Sequence, residues 1–361
     1  MRIESLEAYP LRIRAREKLQ GGTFGYTHFQ TVLVKAVCDG VEGWGEAMTR
    51  ADPAATALLV RYFGSPLVGE EFETVSDAWE RCWKELRVRG HTRGVDVEAL
   101  SGIEIALQDC MGRILRKPLC RLFADRPSSR VPAFAGSLFA SRGPLKGQVE
   151  RARGSGLSGA KVKIGFGVER DKETLSTVRR LWPEGMLVAD ANGAYDAPGA
   201  AKACTAFRDL DLAWFEEPVM SDDIGGYASL RKLGVRIGAG ESWFPGDFDG
   251  PIDNKLIDVL EPSVSRCGGV GVEMGVAKRA ARGGIGFSPM TGMNSAISLA
   301  ASLHAAAARR SVGVEYNPFA NPIQSELAAG LDRPQGGSIR VPSGHGLGIT
   351  IDERFVRSHL A

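Results

Sequence analysis

Three acidic residues recur along the middle of the chain, each closing a short apolar run: Asp190 in LVADAN, Glu216 in AWFEEP and Glu241 in RIGAGES. Upstream, Lys161 and Lys163 sit in AKVKIG. On a strand, residues two apart project from one face, about 7 Å from each other. Val162 then faces flanking helices and the two lysines face inward. Inward lysines are costly unless carboxylates or a metal site balance them. Taken singly, each carboxylate has an ordinary structural reading: Asp190 as a helix N-cap, Glu216 at an exposed helix start before Pro218, Glu241 as a loop charge. Together they mean more, because adjacent parallel strands lie about 4.8 Å apart and their terminal carboxylates can converge on one cation. All-oxygen ligation suits Mg²⁺. No cysteine or histidine joins the cluster, which argues against zinc. A cation beside a lysine base is equipment for removing a proton next to a carboxylate.

Those residues need strands to carry them, and the chain supplies strands at a regular interval. From Val131 onward eight short β-like runs alternate with helical stretches: VPAFAG, AKVKI, MLVAD, LAWFE, VRIGAG, LIDVLE, GIGFS and VGVEY. A recurrence of about 25 residues over roughly 200 is that of a (β/α)₈ barrel. The first ~125 residues read instead as strands and then helices, the α+β pattern. IESLEAYPLRI and TVLVKAVCD are β-like, and Asp39-Gly40 marks a hairpin. Residues 19–29 between them are too glycine-rich to predict regular structure. Helical periodicity follows through ATALLVRYF, VSDAWERCWKEL and VEALSGIEIALQDCMGRIL, with Pro118 as a stop. The expected organisation is α/β: a capping domain at 1–125, a barrel at 126–335, and a tail at 336–361 that packs back on the cap.

Bulk properties narrow the partners. The chain has 361 residues and a formal net charge of +2, which implies no polyanionic partner and no nucleic acid. The basic run 81–93 contains Trp83 and Leu86 and reads as a solvated helix face. Six scattered cysteines without C-x-x-C spacing read as reduced and buried, pointing to the cytoplasm. The charged N-terminus is neither signal peptide nor anchor, and no apolar run approaches the ~20 residues that span a bilayer.

At these residues the sequence resembles the enolase superfamily, in its mandelate racemase and muconate lactonizing enzyme branch. The likeness runs through G-W-G-E-A at 43–47, K-x-K at 161–163, D-A-N at 190–192, E-E-P at 216–218 and G-E-S at 240–242. It continues in S-R-C-G-G at 265–269, V-E-Y at 314–316 and PSGHGLGI near the end. The resemblance implies an α+β cap, completed by the C-terminal tail, over a modified TIM barrel. It implies Mg²⁺ held by Asp190, Glu216 and Glu241, and a symmetric homo-oligomer. It also implies that Lys163 takes the α-proton of a small-molecule carboxylate, passing through a metal-stabilised enediolate, a design general to this superfamily. Lys163 must be neutral to do so, and Lys161 and the cation both favour that form. Glu315, ending the eighth run, stands where relatives contact the substrate carboxylate. Asn192 of D-A-N belongs with the substrate-binding residues.

The chain also departs from that pattern. Mandelate-racemase-like members carry a second base, a histidine ending strand seven paired with an aspartate ending strand six. Here Met290 and Ser263 occupy those positions, and no lysine of the muconate lactonizing type ends strand six. His304 lies inside a helical run and reads as packed structure. With Lys163 alone, the economical chemistry is syn β-elimination: dehydration of an acid sugar to a 2-keto-3-deoxy acid, or opening of a sugar-acid lactone. A racemase or epimerase is the alternative if Tyr26 or His28, in the specificity loop, supplies a second acid; Cys267 is a weaker candidate. A third alternative is a Mg²⁺- and carboxylate-binding protein without turnover.

Overall fold

The computed structural model describes every residue except Gly21, Phe24 and Met293, and the side chains of all others except 16–19. Phe24, counted above in the specificity loop, therefore lies outside the described residues.

The chain opens with an antiparallel sheet of β1 (Ile3–Gln20), β2 (Gly25–Cys38) and β3 (Val41–Met48). Asp39 and Gly40 have φ of 48° and 72°, and Cys38 pairs with Val41 across them. Two positive-φ residues make the tight turn that matches strand twist. The 19–29 segment corrects the sequence expectation, because its ends are regular: Leu19 pairs with Tyr26 and Gln20 with Gly25. The β-favouring Tyr26, Thr27 and Phe29 and an extensive partner strand outweigh the glycines.

Three helices follow, α1 (Pro53–Gly64), α2 (Val75–Val88) and α3 (Val95–Ile114). In α2, Cys82 and Leu86 are buried while Arg81, Lys84 and Arg87 are exposed, so the basic run is a solvated face. α3 lies directly on β3. A Cβ on Gly45 would come within 2.0 Å of the Gly102 carbonyl, so the glycines of G-W-G-E-A set this close approach.

The eight predicted strands all form: β4 (Arg130–Phe139), β5 (Gly159–Lys163), β6 (Met186–Asp190), β7 (Trp214–Glu216), β8 (Ile237–Ala239), β9 (Val259–Leu260), β10 (Gly286–Phe287) and β11 (Val314–Tyr316). They pair in parallel in the order β10-β9-β8-β7-β6-β5-β4-β11. Between β10 and β11 the seam is crossed by Val312 N to Phe287 O at 2.8 Å, Ser288 Oγ to Gly313 O at 2.9 Å and Thr291 Oγ1 to Glu315 O at 2.7 Å. The result is a modified TIM barrel with an α+β cap. Inside it, Phe134, Val188, Trp214 and Val259 pack as an apolar plug, the filling such a barrel requires. The charged residues at the strand ends sit above that plug.

Cap and barrel share one apolar cluster, with Phe29, Leu33 and Trp44 from the cap against Val264, Met274 and Ile297 from the barrel. Buried carboxylates stitch the same joint. Glu46 accepts from Ser295 N and Oγ at 3.0 and 2.6 Å and from Ser298 N at 3.0 Å, at the start of the Ala296–Arg309 helix. Glu104 accepts from Val270 N and Gly271 N at 2.7 and 2.9 Å, at the start of the Val270–Arg282 helix. Both satisfy helix N–H groups that have no partner within the helix. Gly269 has φ 100°, and a Cβ there would lie 2.1 Å from Glu104 Oε2, which accounts for the last glycine of S-R-C-G-G. The tail meets both parts: Ser338–Arg340 pairs with β4, Asp109 accepts from Leu347 N at 2.7 Å, and Ala361 N reaches Pro10 O at 2.9 Å.

Candidate active site

β5, β6, β7 and the turn after β8 deliver Lys161, Lys163, Asp190, Glu216 and Glu241 to one place at the barrel mouth. Lys161 and Lys163 both line the central cavity, whereas Val162 is buried among the apolar side chains between sheet and helices. One carboxylate oxygen from each of Asp190, Glu216 and Glu241 lies within 4.8 Å of the others. All three residues are buried. Lys161 is nearly inaccessible, and its Nζ lies 2.8 Å from Glu216 Oε1, 3.4 Å from Asp190 Oδ2, and against Glu315 Oε1. Lys163 Nζ donates to Asp190 Oδ2 and, at 2.8 Å, to Asn192 Oδ1. Asn192 in turn donates to Glu241 Oε1 at 3.2 Å.

The electrostatics follow from burial and neighbours. Burial opposes the charge on Lys161, but Glu216, Asp190, Glu241 and Glu261 outweigh it and raise its pKa. Lys161 is therefore a fixed cation. Burial likewise opposes the charge on Asp190, and Lys163 and Lys161 hold that carboxyl below its usual range. Glu216 is pushed up to about 7 by burial and then by Asp190, despite Lys161. Its Oε2 has no hydrogen-bond partner although fully buried. An orphaned carboxylate oxygen beside two others is the mark of a place for a cation.

The other sequence-predicted residues divide. Tyr26, His28, Asn192, Met290 and Glu315 line a cavity of about 300 Å³ with the two lysines. Glu315 has both oxygens engaged, Oε1 by Lys161 and Oε2 by Gly292 N at 3.0 Å. Ser263 is not among the lining residues; it is wholly buried with its hydroxyl 3.5 Å from Ser265 Oγ. Cys267 is buried beside Gly269 and also stands outside the lining. His304 is a packed histidine: Nδ1 accepts from Cys120 N at 3.3 Å, Nε2 lies 3.1 Å from Leu347 O, and burial lowers its pKa to about 4. All six cysteines are free and buried.

Sequence reasoning passed over three residues here. Glu261 closes the apolar run LIDVLE just as Glu216 closes AWFE, so the same signal would have found it. It is buried, accepts from Trp214 Nε1 at 3.0 Å, and has its pKa raised well above normal by burial and then Glu216. Glu217 is buried beside Glu216, and burial, Glu241 and Asp190 raise its pKa. Arg50 lines the cavity from the cap side, its Cζ 5.6 Å from the Tyr26 ring centre. Nothing in MTRAD announces it.

A fold of this kind with a carboxylate triad and paired lysines at the barrel mouth defines a class, and comparison with known proteins identifies it. Residues 14–124 match the mandelate racemase / muconate lactonizing enzyme N-terminal domain, and residues 145–355 match the enolase C-terminal domain-like family. The chain belongs to the mandelate racemase and muconate lactonizing enzyme branch of the enolase superfamily, and is an enzyme of lyase or isomerase type. It is 28% identical over 371 aligned residues to a D-galactarolactone cycloisomerase of Agrobacterium fabrum, covering 98% of this chain and 97% of that one. It is 27% identical over 325 aligned residues to an arabinonate dehydratase of Saccharolobus solfataricus, covering 87% and 86%. A racemase from Streptomyces coelicolor, solved with bound magnesium, superposes with a TM-score of 0.89 at 26% identity over 99% of this chain and 100% of that one. Among the described residues no helix is long and apolar enough to cross a membrane.

Proposed function

We propose that this enzyme abstracts the α-proton of an acid sugar or sugar-acid lactone with Lys163 and expels a β-oxygen substituent from the same face. The observation that carries the reading is the asymmetry of the site. Lys163 lines the cavity, held between Asp190 and Asn192, while the end of strand seven offers Met290, Gly292 and Asn294, none of which transfers protons.

Asp190, Glu216 and Glu241 would hold Mg²⁺, whose charge, when bound, offsets the negative charge that develops on the substrate carboxylate. Lys161, kept cationic among its carboxylates, faces that same carboxylate group. Glu315 and Asn192 position the two lysines. Lys163 accepts the α-proton and, for a hydroxyl leaving group, returns it to the departing oxygen; the enol left behind becomes a 2-keto-3-deoxy acid. The relatives named as a cycloisomerase and a dehydratase act on substrates of this kind. Their shared chemistry supports the reading.

Proton NMR in D₂O with Mg²⁺ over a panel of acid sugars and lactones tests it. A deuterated 2-keto-3-deoxy product, abolished by Lys163→Ala, is the expected result. Epimerised substrate as the main product would overturn it in favour of a racemase using Tyr26 or His28, which do line the cavity.

A further inference from the structure

Arg50 has no part in the scheme above, yet it is the only arginine among the residues lining the cavity. It enters from the cap, while the proton-transfer and metal-binding groups rise from the barrel. Its link to Glu241 Oε1 is 3.7 Å, long beside the ~2.8 Å of a charge-assisted hydrogen bond, and its side chain is 38% exposed. The Tyr26 ring lies near its guanidinium. A planar fork of donors facing a cavity is suited to a carboxylate.

The missing second acid gives this cation a chemical meaning. A departing hydroxyl must be protonated, whereas a departing carboxylate is stable as an anion and needs only a positive charge to receive it. A β-oxygen leaves as a carboxylate only if it is acylated. In a sugar lactone that also keeps one free carboxylate for the metal, the acyl group must come from a second carboxyl.

We infer that Arg50 forms the subsite for a second carboxyl group and that the substrate is the monolactone of a dicarboxylic acid sugar. The inference rests on the proposed proton abstraction and narrows its substrate. The Cα–H bond breaks and its proton goes to Lys163. The Cβ–O(acyl) bond breaks and its electron pair leaves with the second carboxyl, which becomes a carboxylate paired with Arg50. The enol that remains takes a proton at the former β-carbon and becomes a ketone. No water is lost and no co-reactant is needed; the reaction is an isomerisation.

Two measurements test this. In the first, wild-type protein with Mg²⁺ is given the monolactone of galactarate and, separately, galactonate, and products are weighed by mass spectrometry. The expected product has the mass of the lactone, and Arg50→Met lowers kcat/KM for it roughly ten- to hundred-fold, with Arg50→Lys between. Faster conversion of galactonate with loss of one water overturns the inference while leaving the proton-abstraction reading intact. The second measurement holds even if no panel compound turns over. Calorimetry on Lys163→Ala protein with Mg²⁺ compares galactarate with galactonate, which differ only in the terminal carboxylate. Preference for the diacid that falls toward unity when Arg50→Met is added supports the subsite; no preference, or one that survives the change, refutes it.

Discussion

The joint between cap and barrel and the floor of the cavity both bury carboxylates, but they treat them differently. At the joint, Glu46 and Glu104 are met by backbone N–H groups at the starts of two barrel helices. On the floor, Glu216 Oε2, Glu217 Oε1 and Glu261 Oε2 have no partner, and two lysines stand among more carboxylates than they can neutralise. A buried acid whose bonds are complete is part of the architecture; a group of acids left incomplete describes what must be added. Glu273 is the exception at the joint: it is wholly buried and both oxygens lack partners. Burial, and then Glu104, raise its pKa well above normal, so it is held as the neutral acid.

This contrast can be broken at several points. The largest effect belongs to the floor: Lys163→Ala should cut turnover roughly 10³-fold or more while the circular-dichroism spectrum is unchanged. At the joint the loss should be of stability. Glu104→Ala strips two helix N–H groups of their acceptor and should cost about 3 kcal/mol, read as a lower urea midpoint. Saturating Mg²⁺ should raise the thermal midpoint, with about 2.7 kcal/mol at a hundred times Kd, and Asp190→Asn should abolish that response.

The smallest effect sharpens the exception. A folded-state pKa above the unfolded 4.5 means the unfolded chain releases the Glu273 proton first. The stability from this neutral group is complete below the unfolded value and falls as pH rises toward the folded one. Glu104, pushed up to about 7 by burial, adds to the same trend, and the Cys267 thiol beside them is raised by burial and then Glu273. Glu273→Gln should therefore gain about 1–2 kcal/mol over wild type at pH 8 and little at pH 5. Equal midpoints at the two pH values would show that Glu273 has a partner in solution.

Much of the floor was legible because its signals are local. A strand of period two that ends in a carboxylate states where that carboxylate will stand, and K-x-K states that both lysines share a face. The eight runs, the hairpin turn at Asp39-Gly40 and the packed character of His304 came from the same kind of evidence. Glu261 carried that signal too and was overlooked. Ser263 was placed by its position in a motif, but its side chain turns into the protein instead of the cavity.

The sequence by itself determined the order of strands, the triad that closes them and the absence of a second base, since each depends on residues a few positions apart. Only the tertiary structure decided that Glu46 would cap a helix 249 residues away, that Ser263 would be excluded, and that Arg50 would reach over Glu241. Those contacts join segments whose relative positions are set by packing of cap on barrel. No local pattern of residue types encodes a distance across that joint.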